Sequence, residues 1–189
     1  YEEKGVFAWL GHPISDSDTG ESIALRSGEI VPCQITGCSK GTAGSPGELK
    51  GRFLSAHAIG TIRINGENGV YGSTRARFAG QKMEVAFAQE VEAGNAEIWM
   101  TTSGETPRAY RVKIEKISDA DPRRNMVLRV VDRELLAQTG GIVQGMSGSP
   151  IVQNGRLVGA VTHVLVNDPT RGYGIFAQTM LEQAERVTE

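Results

Sequence analysis

Apolar residues along the chain recur mostly with the period of two that marks strands, not the 3.6 of a helix. Val6, Phe7, Ala8, Trp9 and Leu10 form an apolar run that stops at Gly11. Ile30, Val31 and Ile35 mark a second strand over 29–36, where Pro32 predicts an edge or a bulge. The alternating run 61–64 leads into Asn65-Gly66, a pair suited to a hairpin turn. Alternation returns at Met83, Val85 and Phe87, around Trp99 at Ile98 and Met100, and at Tyr110, Val112 and Ile114. Segments 126–131 and 150–152 add two more strands. The nearly continuous apolar run 157–164 reads as a strand buried on both faces.

Helical signals are few. Asp132 heads a short helical pattern as an N-cap, and 177–187 places Met180, Leu181 and Ala184 on one side. Residues 37–51, rich in Gly, Ser and Pro, read as a surface loop. The predicted class is all-β, with strands spaced as in a barrel or sandwich. A soft division near 93–97 separates an N-terminal lobe, 1–95, from a C-terminal lobe, 96–189.

Composition narrows this only modestly. The 189 residues suit one compact domain or two small lobes sharing a core. A net charge of −2 supplies no electrostatic basis for binding nucleic acid or an anionic membrane. No apolar run approaches the roughly 18 residues that span a bilayer, so direct membrane insertion by this segment is not expected. The chain opens on Tyr1 without a signal peptide and reads as a fragment or processed product. Cys33 and Cys38 fit no zinc ligand set. Two buried or half-buried thiols in one strand are the favoured reading, with a local disulfide as the other.

The chemistry concentrates at 145–150, Gly-Met-Ser-Gly-Ser-Pro. A serine hydroxyl is a weak nucleophile that needs a base for its proton and donors for the developing oxyanion. Gly145, Gly148 and the small Ser149 leave Ser147 open to a carbonyl. By itself such a turn is equally at home as plain β-structure. The longer run, through the Asn154-Gly155 turn to Leu157-Val-Gly-Ala-Val-Thr, resembles the surroundings of the nucleophile in the chymotrypsin superfamily. That resemblance implies an oxyanion hole from the amides of Gly145 and Ser147, and a substrate-pairing strand at Thr162, His163 and Val164. Walls of a specificity pocket are then expected at 141–144, 162–164 and 171–174, with Asp168 or Arg171 able to charge it.

Three histidines compete as base. His57 has apolar neighbours that suit a buried or half-buried structural role, and His163 lies on the substrate-facing strand. His12 follows the first strand directly. The stretches GHPISDSDTG (11–20), GELKG (47–51), GMSGSPIVQNGRLVGAVTHV (145–164) and NDPTRGYGIF (167–176) together resemble the sporulation stage IV B peptidases, the S55 serine peptidase family of endospore-forming bacteria. The resemblance runs from about residue 5 to 185. It implies a chymotrypsin-like double β-barrel with a short C-terminal helix, and a serine endopeptidase with catalytic His12, Ser147 and Asp132. Asp132 also reads as a helix cap, and Asp16 and Asp18 lie nearer His12 in sequence. A first barrel lacking an upstream strand would be poorly closed.

The same resemblance implies a setting. The family acts between the mother-cell and forespore membranes, cleaves the regulator of a membrane-embedded protease that releases a sigma factor, and cleaves itself. No metal or organic cofactor is required by the chemistry. The rival reading is a catalytically silent β-barrel that binds a peptide strand along 162–164.

Overall fold

A computed structural model describes residues 2–16, 18–78 and 80–186. The N-terminal lobe holds β1 (Glu2–Glu3), β2 (Val6–Trp9), β3 (Glu29–Ile30), β4 (Cys33–Ser39), β5 (Glu48–Phe53), β6 (Gly60–Gly66) and β7 (Gly69–Thr74). Five of these form an antiparallel sheet in the order β1-β2-β7-β6-β3, around a small core of Phe7, Ile30 and Val70. The other two, β4 and β5, pair only with each other as a hairpin. The C-terminal lobe holds β8 (Gly94–Met100), β9 (Arg108–Ile117), β10 (Met126–Val130), α1 (Arg133–Thr139), β11 (Pro150–Gln153), β12 (Arg156–Val164), β13 (Arg171–Phe176) and α2 (Ala177–Glu185). Its six strands close a barrel in the order β10-β13-β12-β11-β8-β9.

The architecture is all-β and two-lobed, with closure in the second lobe. Pro32 explains much of the difference. With no N–H to donate, it ends the pairing of β3 with β6 after Ile30, and the chain leaves the sheet. It resumes as β4, which is bridged to the other lobe by the reciprocal Ile35–Gly104 backbone pair. In the barrel, by contrast, the sequence pattern is obeyed cleanly. Tyr110, Val112 and Ile114 of β9 point inward while Arg111, Lys113 and Glu115 point out. The run 158–162 is buried throughout because α2 covers its outer face. Ala8, Tyr71, Ala160, Ile175, Met180 and Ala184 make one cluster there, joining both lobes beneath α2.

Several local expectations are corrected. The β6–β7 turn lies at Glu67-Asn68, not Asn65-Gly66. The Asn65 side chain is used elsewhere: it accepts from Ile14 N–H and donates to the carbonyls of Ile14 and Ile23, pinning the 14–23 loop. Residues 83–87 form no strand beyond a bridge from Val85 to Leu157, since β12 is already paired by β11 and β13. Residues 37–51 are not a loop but most of a hairpin with a tight Thr42–Ser45 turn. Glycine lets the two strands close beside that turn: a Cβ on Gly47 would lie 2.2 Å from Ser39 O. Strand β13 escaped the pattern because Gly172 and Gly174 stand where apolar side chains would. The first strand of the barrel begins at Gly94. Val187, the last residue of the predicted tail helix, lies outside the described residues.

Candidate active site

Ser147 sits on the loop between α1 and β11, in a turn shaped by two glycines. Gly145 (φ +92°) and Gly148 (φ +84°) adopt left-handed geometry that a side chain disfavours. The turn is fixed by Ser149 N–H donating to Met146 O and Gly148 N–H to Val161 O. Met146 anchors it in the barrel core at 1% exposure. Among the described residues, the N–H groups of Gly145 and Ser147 have no acceptor.

His12 arrives from the other lobe. After β2 the chain turns sharply through Leu10 (φ +69°) and Gly11 (φ +72°), the former a conformation that non-glycine residues rarely occupy. Two close approaches require glycine. A Cβ on Gly148 would stand 2.8 Å from Leu10 N, and one on Gly11 would stand 2.8 Å from Ile175 Cγ2 and Thr162 Cγ2. The Gly-His pair therefore seats the histidine: Gly11 lets the backbone press onto β12 and β13, and His12 then overhangs Ser147.

The resulting geometry is that of a nucleophile and its base. His12 Nε2 lies 2.8 Å from Ser147 Oγ. His12 Nδ1 lies 2.7 Å from Pro13 O, which can only accept, so Nδ1 carries the proton and a neutral ring leaves Nε2 bare. Ser147 Oγ is also 2.8 Å from Thr162 O. One hydroxyl proton serves one acceptor at a time. It goes to Nε2 when the ring is neutral and to Thr162 O when the imidazolium donates to Oγ.

Asp132 is placed elsewhere. It caps α1, accepting from Glu134 N–H and Leu135 N–H at 3.0 and 3.2 Å, and its second oxygen faces Arg111 Nε at 3.6 Å. Burial pushes its carboxyl up, but the backbone amides of Leu135, Arg111 and Glu134 and the Arg111 guanidinium outweigh that and hold it below the ordinary aspartate value. Among the described residues no hydrogen bond links it to His12, whose Nδ1 is taken by Pro13. Asp16 folds onto its own turn, accepting from Asp18 N–H and from Thr19. The structure thus joins His12 to Ser147 and joins neither to Asp132.

The strand residues Thr162, His163 and Val164 lie beside this pair, at an irregularity in the β12–β13 ladder between Val161 and Val164. The Thr162 side chain is buried, and its Oγ1 has no hydrogen-bond partner among the described residues. The His163 ring rests against His12 with centroids 4.8 Å apart, and its buried Nδ1 also lacks a partner among the described residues. Burial, then the neighbouring His12 and the Arg124 and Arg123 guanidinium groups, lower its pKa to about 4, with Asp121 opposing, so the ring is neutral near pH 7. His57 is far from this group in role: it is exposed on the loop after β5, contrary to the burial expected from its neighbours, and pairs with Ser55.

The expected pocket walls behave differently from the expectation. Ile142 and Val143 are 2% exposed, and Cβ atoms on Gly141 or Gly172 would meet Pro169 O at 2.1 Å or His163 O at 2.5 Å. Asp168 turns to Thr170 and Arg129, and Arg171 to Glu115, so neither charges a pocket at the serine. Open space borders Ser147 toward the N-terminal lobe instead, as a cleft of about 330 Å³ walled by β2, β4, β5 and the 100–105 turn. Cys33, exposed, is part of that wall; both it and Cys38 are free thiols on β4. Sequence reasoning missed the Pro13 carbonyl and this cleft. The adjacent His12-Pro13 pair was a signal for the first; nothing local could signal a wall drawn from four separated segments.

No curated protein sequence matches the chain. Among solved structures, the fold is similar to the Rv3671c protease of M. tuberculosis. In its inactive form the TM-score is 0.49 at 14% identity, covering 83% of this chain and 88% of that one. In its active form it is 0.49 at 14%, covering 84% and 80%. The family model described as SpoIVB peptidase S55 matches residues 1–181. The chain belongs to the SpoIVB peptidase S55 family and is a serine peptidase.

Proposed function

We propose that this chain is an endopeptidase working through an acyl-enzyme on Ser147, with His12 as its base. The observation that carries the reading is the 2.8 Å contact of His12 Nε2 with Ser147 Oγ, beside two unengaged amides. Ser147 passes its proton to Nε2 as Oγ attacks the scissile carbonyl carbon. The carbonyl oxygen becomes an oxyanion held by the N–H groups of Gly145 and Ser147, where such donors contribute about 3–4 kcal/mol. His12 then gives the proton to the departing amine. Water, deprotonated by the same ring, hydrolyses the ester. The substrate's acyl half pairs as an added strand along Thr162–Val164. Pro13 O keeps the ring in the needed tautomer, a task more often given to a carboxylate.

Family membership supports the further reading that the enzyme acts between the mother-cell and forespore membranes, on the regulator of a membrane-embedded protease and on copies of itself. A fluorophosphonate probe tests the chemistry. Labelling is expected at Ser147 and absent in Ser147→Ala; a folded chain that takes no label would be a peptide-binding scaffold instead. The biological substrate is tested by incubating the enzyme with the purified regulator and with Ser147→Ala protein. Intact regulator after labelling-competent enzyme is added would refute that target.

A further inference from the structure

We infer that the enzyme selects its substrates chiefly on the leaving-group side of the scissile bond, for a large apolar residue at the first or second position after the cut. The inference rests on the peptidase reading above.

The two flanks of Ser147 are built differently. On the β12 flank, the space behind the serine is occupied. Ile142 and Val143 are buried in the barrel core, and Gly141 and Gly172 are pressed against Pro169 and His163 so tightly that a methyl group would not fit. Side chains entering there meet packed atoms, which leaves that flank to pair main chain with main chain. The cleft of about 330 Å³ has Gly145, Ser147 and Gly148 in its floor and, among the described residues, none of 162–164 in its lining. A peptide whose acyl half lies along Thr162–Val164 must carry its other half across this cleft.

The walls state the chemistry of the occupant. Trp9, Leu10, Cys33, Ile35, Leu49 and Met100 present aromatic, aliphatic and sulfur surface. Most are half-exposed in the absence of a peptide, so a side chain that covers them removes apolar area from water on both partners. Glu105 is the one carboxylate at the rim, so an aspartate or glutamate in these positions meets like charge. The cleft is also tied to the chemistry: a Cβ on Gly145 would stand 3.1 Å from Leu49 Cβ, so the wall and the oxyanion donor share a boundary. A residue seated against Leu49 is held beside the amide that must meet the carbonyl oxygen, which orients the bond to be cut.

The test is cleavage of a peptide library by the full chain, with sites read by mass spectrometry, alongside fluorophosphonate labelling of the same sample. Enrichment of Leu, Ile, Met or Phe after the cut, with depletion of Asp and Glu, is expected. The exposed rim residue gives a second arm. Cys33→Trp narrows the cleft and is expected to lower kcat/KM about ten-fold more for a peptide with Leu after the cut than for one with Gly there. Labelling with a profile that is flat after the cut, or enriched only before it, overturns the inference and leaves the peptidase reading standing. Loss of labelling overturns both. Equal slowing of the Leu and Gly peptides by Cys33→Trp also overturns it.

Discussion

The two lobes differ in how they hold their half of the chemistry. Ser147 stands on a closed barrel whose centre includes Ile98, Leu128, Leu135 and Ile151, all 0% exposed. His12 stands on an open sheet whose own core is three buried side chains. The barrel fixes Ser147 by bulk. The sheet fixes His12 by contact with the barrel, through Gly11, Gly148 and the cluster under α2. Stability and activity therefore have different structural owners, and substitutions can separate them.

The largest effect is expected in the barrel. Leu128→Ala leaves a cavity in a fully buried site and should cost about 3 kcal/mol of unfolding free energy by urea titration. A cost under about 1 kcal/mol would mean the barrel is not the stable half. Next, Gly148→Ala should lower kcat/KM at least about 100-fold, because displacing the Leu10 turn by even about an ångström moves His12 off Ser147. The barrel's unfolding transition should move far less. If activity survives, the base does not depend on this seam.

A pH titration sharpens the comparison at the seam itself. His163 titrates at about 4 when folded, against 6.5 for the free side chain. Between those values the unfolded chain takes up a proton that the folded chain refuses. Its contribution is thus complete above pH 6.5 and is lost as pH falls towards 4. The size is about 2 kcal/mol after allowance for solvent screening. His163→Gln should flatten the stability profile over that window; an unchanged slope would show that the ring is not held neutral.

The smallest effect concerns Asp132. As the cap of α1, Asp132→Asn should reduce stability by no more than about 1 kcal/mol, since asparagine caps nearly as well. Turnover should stay within a few-fold. A fall of a thousand-fold would instead bring this carboxylate into the reaction.

How much of this could be read from the sequence depends on how local each feature is. The Asp132 cap, the inward alternation of β9 and the serine turn are encoded within ten residues, and each was legible. The turn after β6 was misplaced because Asn65 has two possible uses, and a distant loop claims its side chain. Strand β13 was hidden because Gly172 and Gly174 serve its neighbours rather than its own pattern. The pairing of His12 with Ser147 came from motif resemblance, but the reason for Gly11 needed three dimensions. So did the filled flank behind the serine, where Asp168 and Arg171 looked available and are committed to Arg129 and Glu115.

The glycine contacts at the seam also have a genetic consequence. A methyl group at Gly11 would strike the ends of the Ile175 and Thr162 side chains, which a second substitution can trim. A methyl group at Gly148 would strike the main-chain nitrogen and Cα of Leu10, atoms that every amino acid possesses. No replacement of a neighbour can make room for it. Among revertants of an inactive Gly148 variant, second-site suppressors should therefore be scarce, and restoration of glycine itself should dominate.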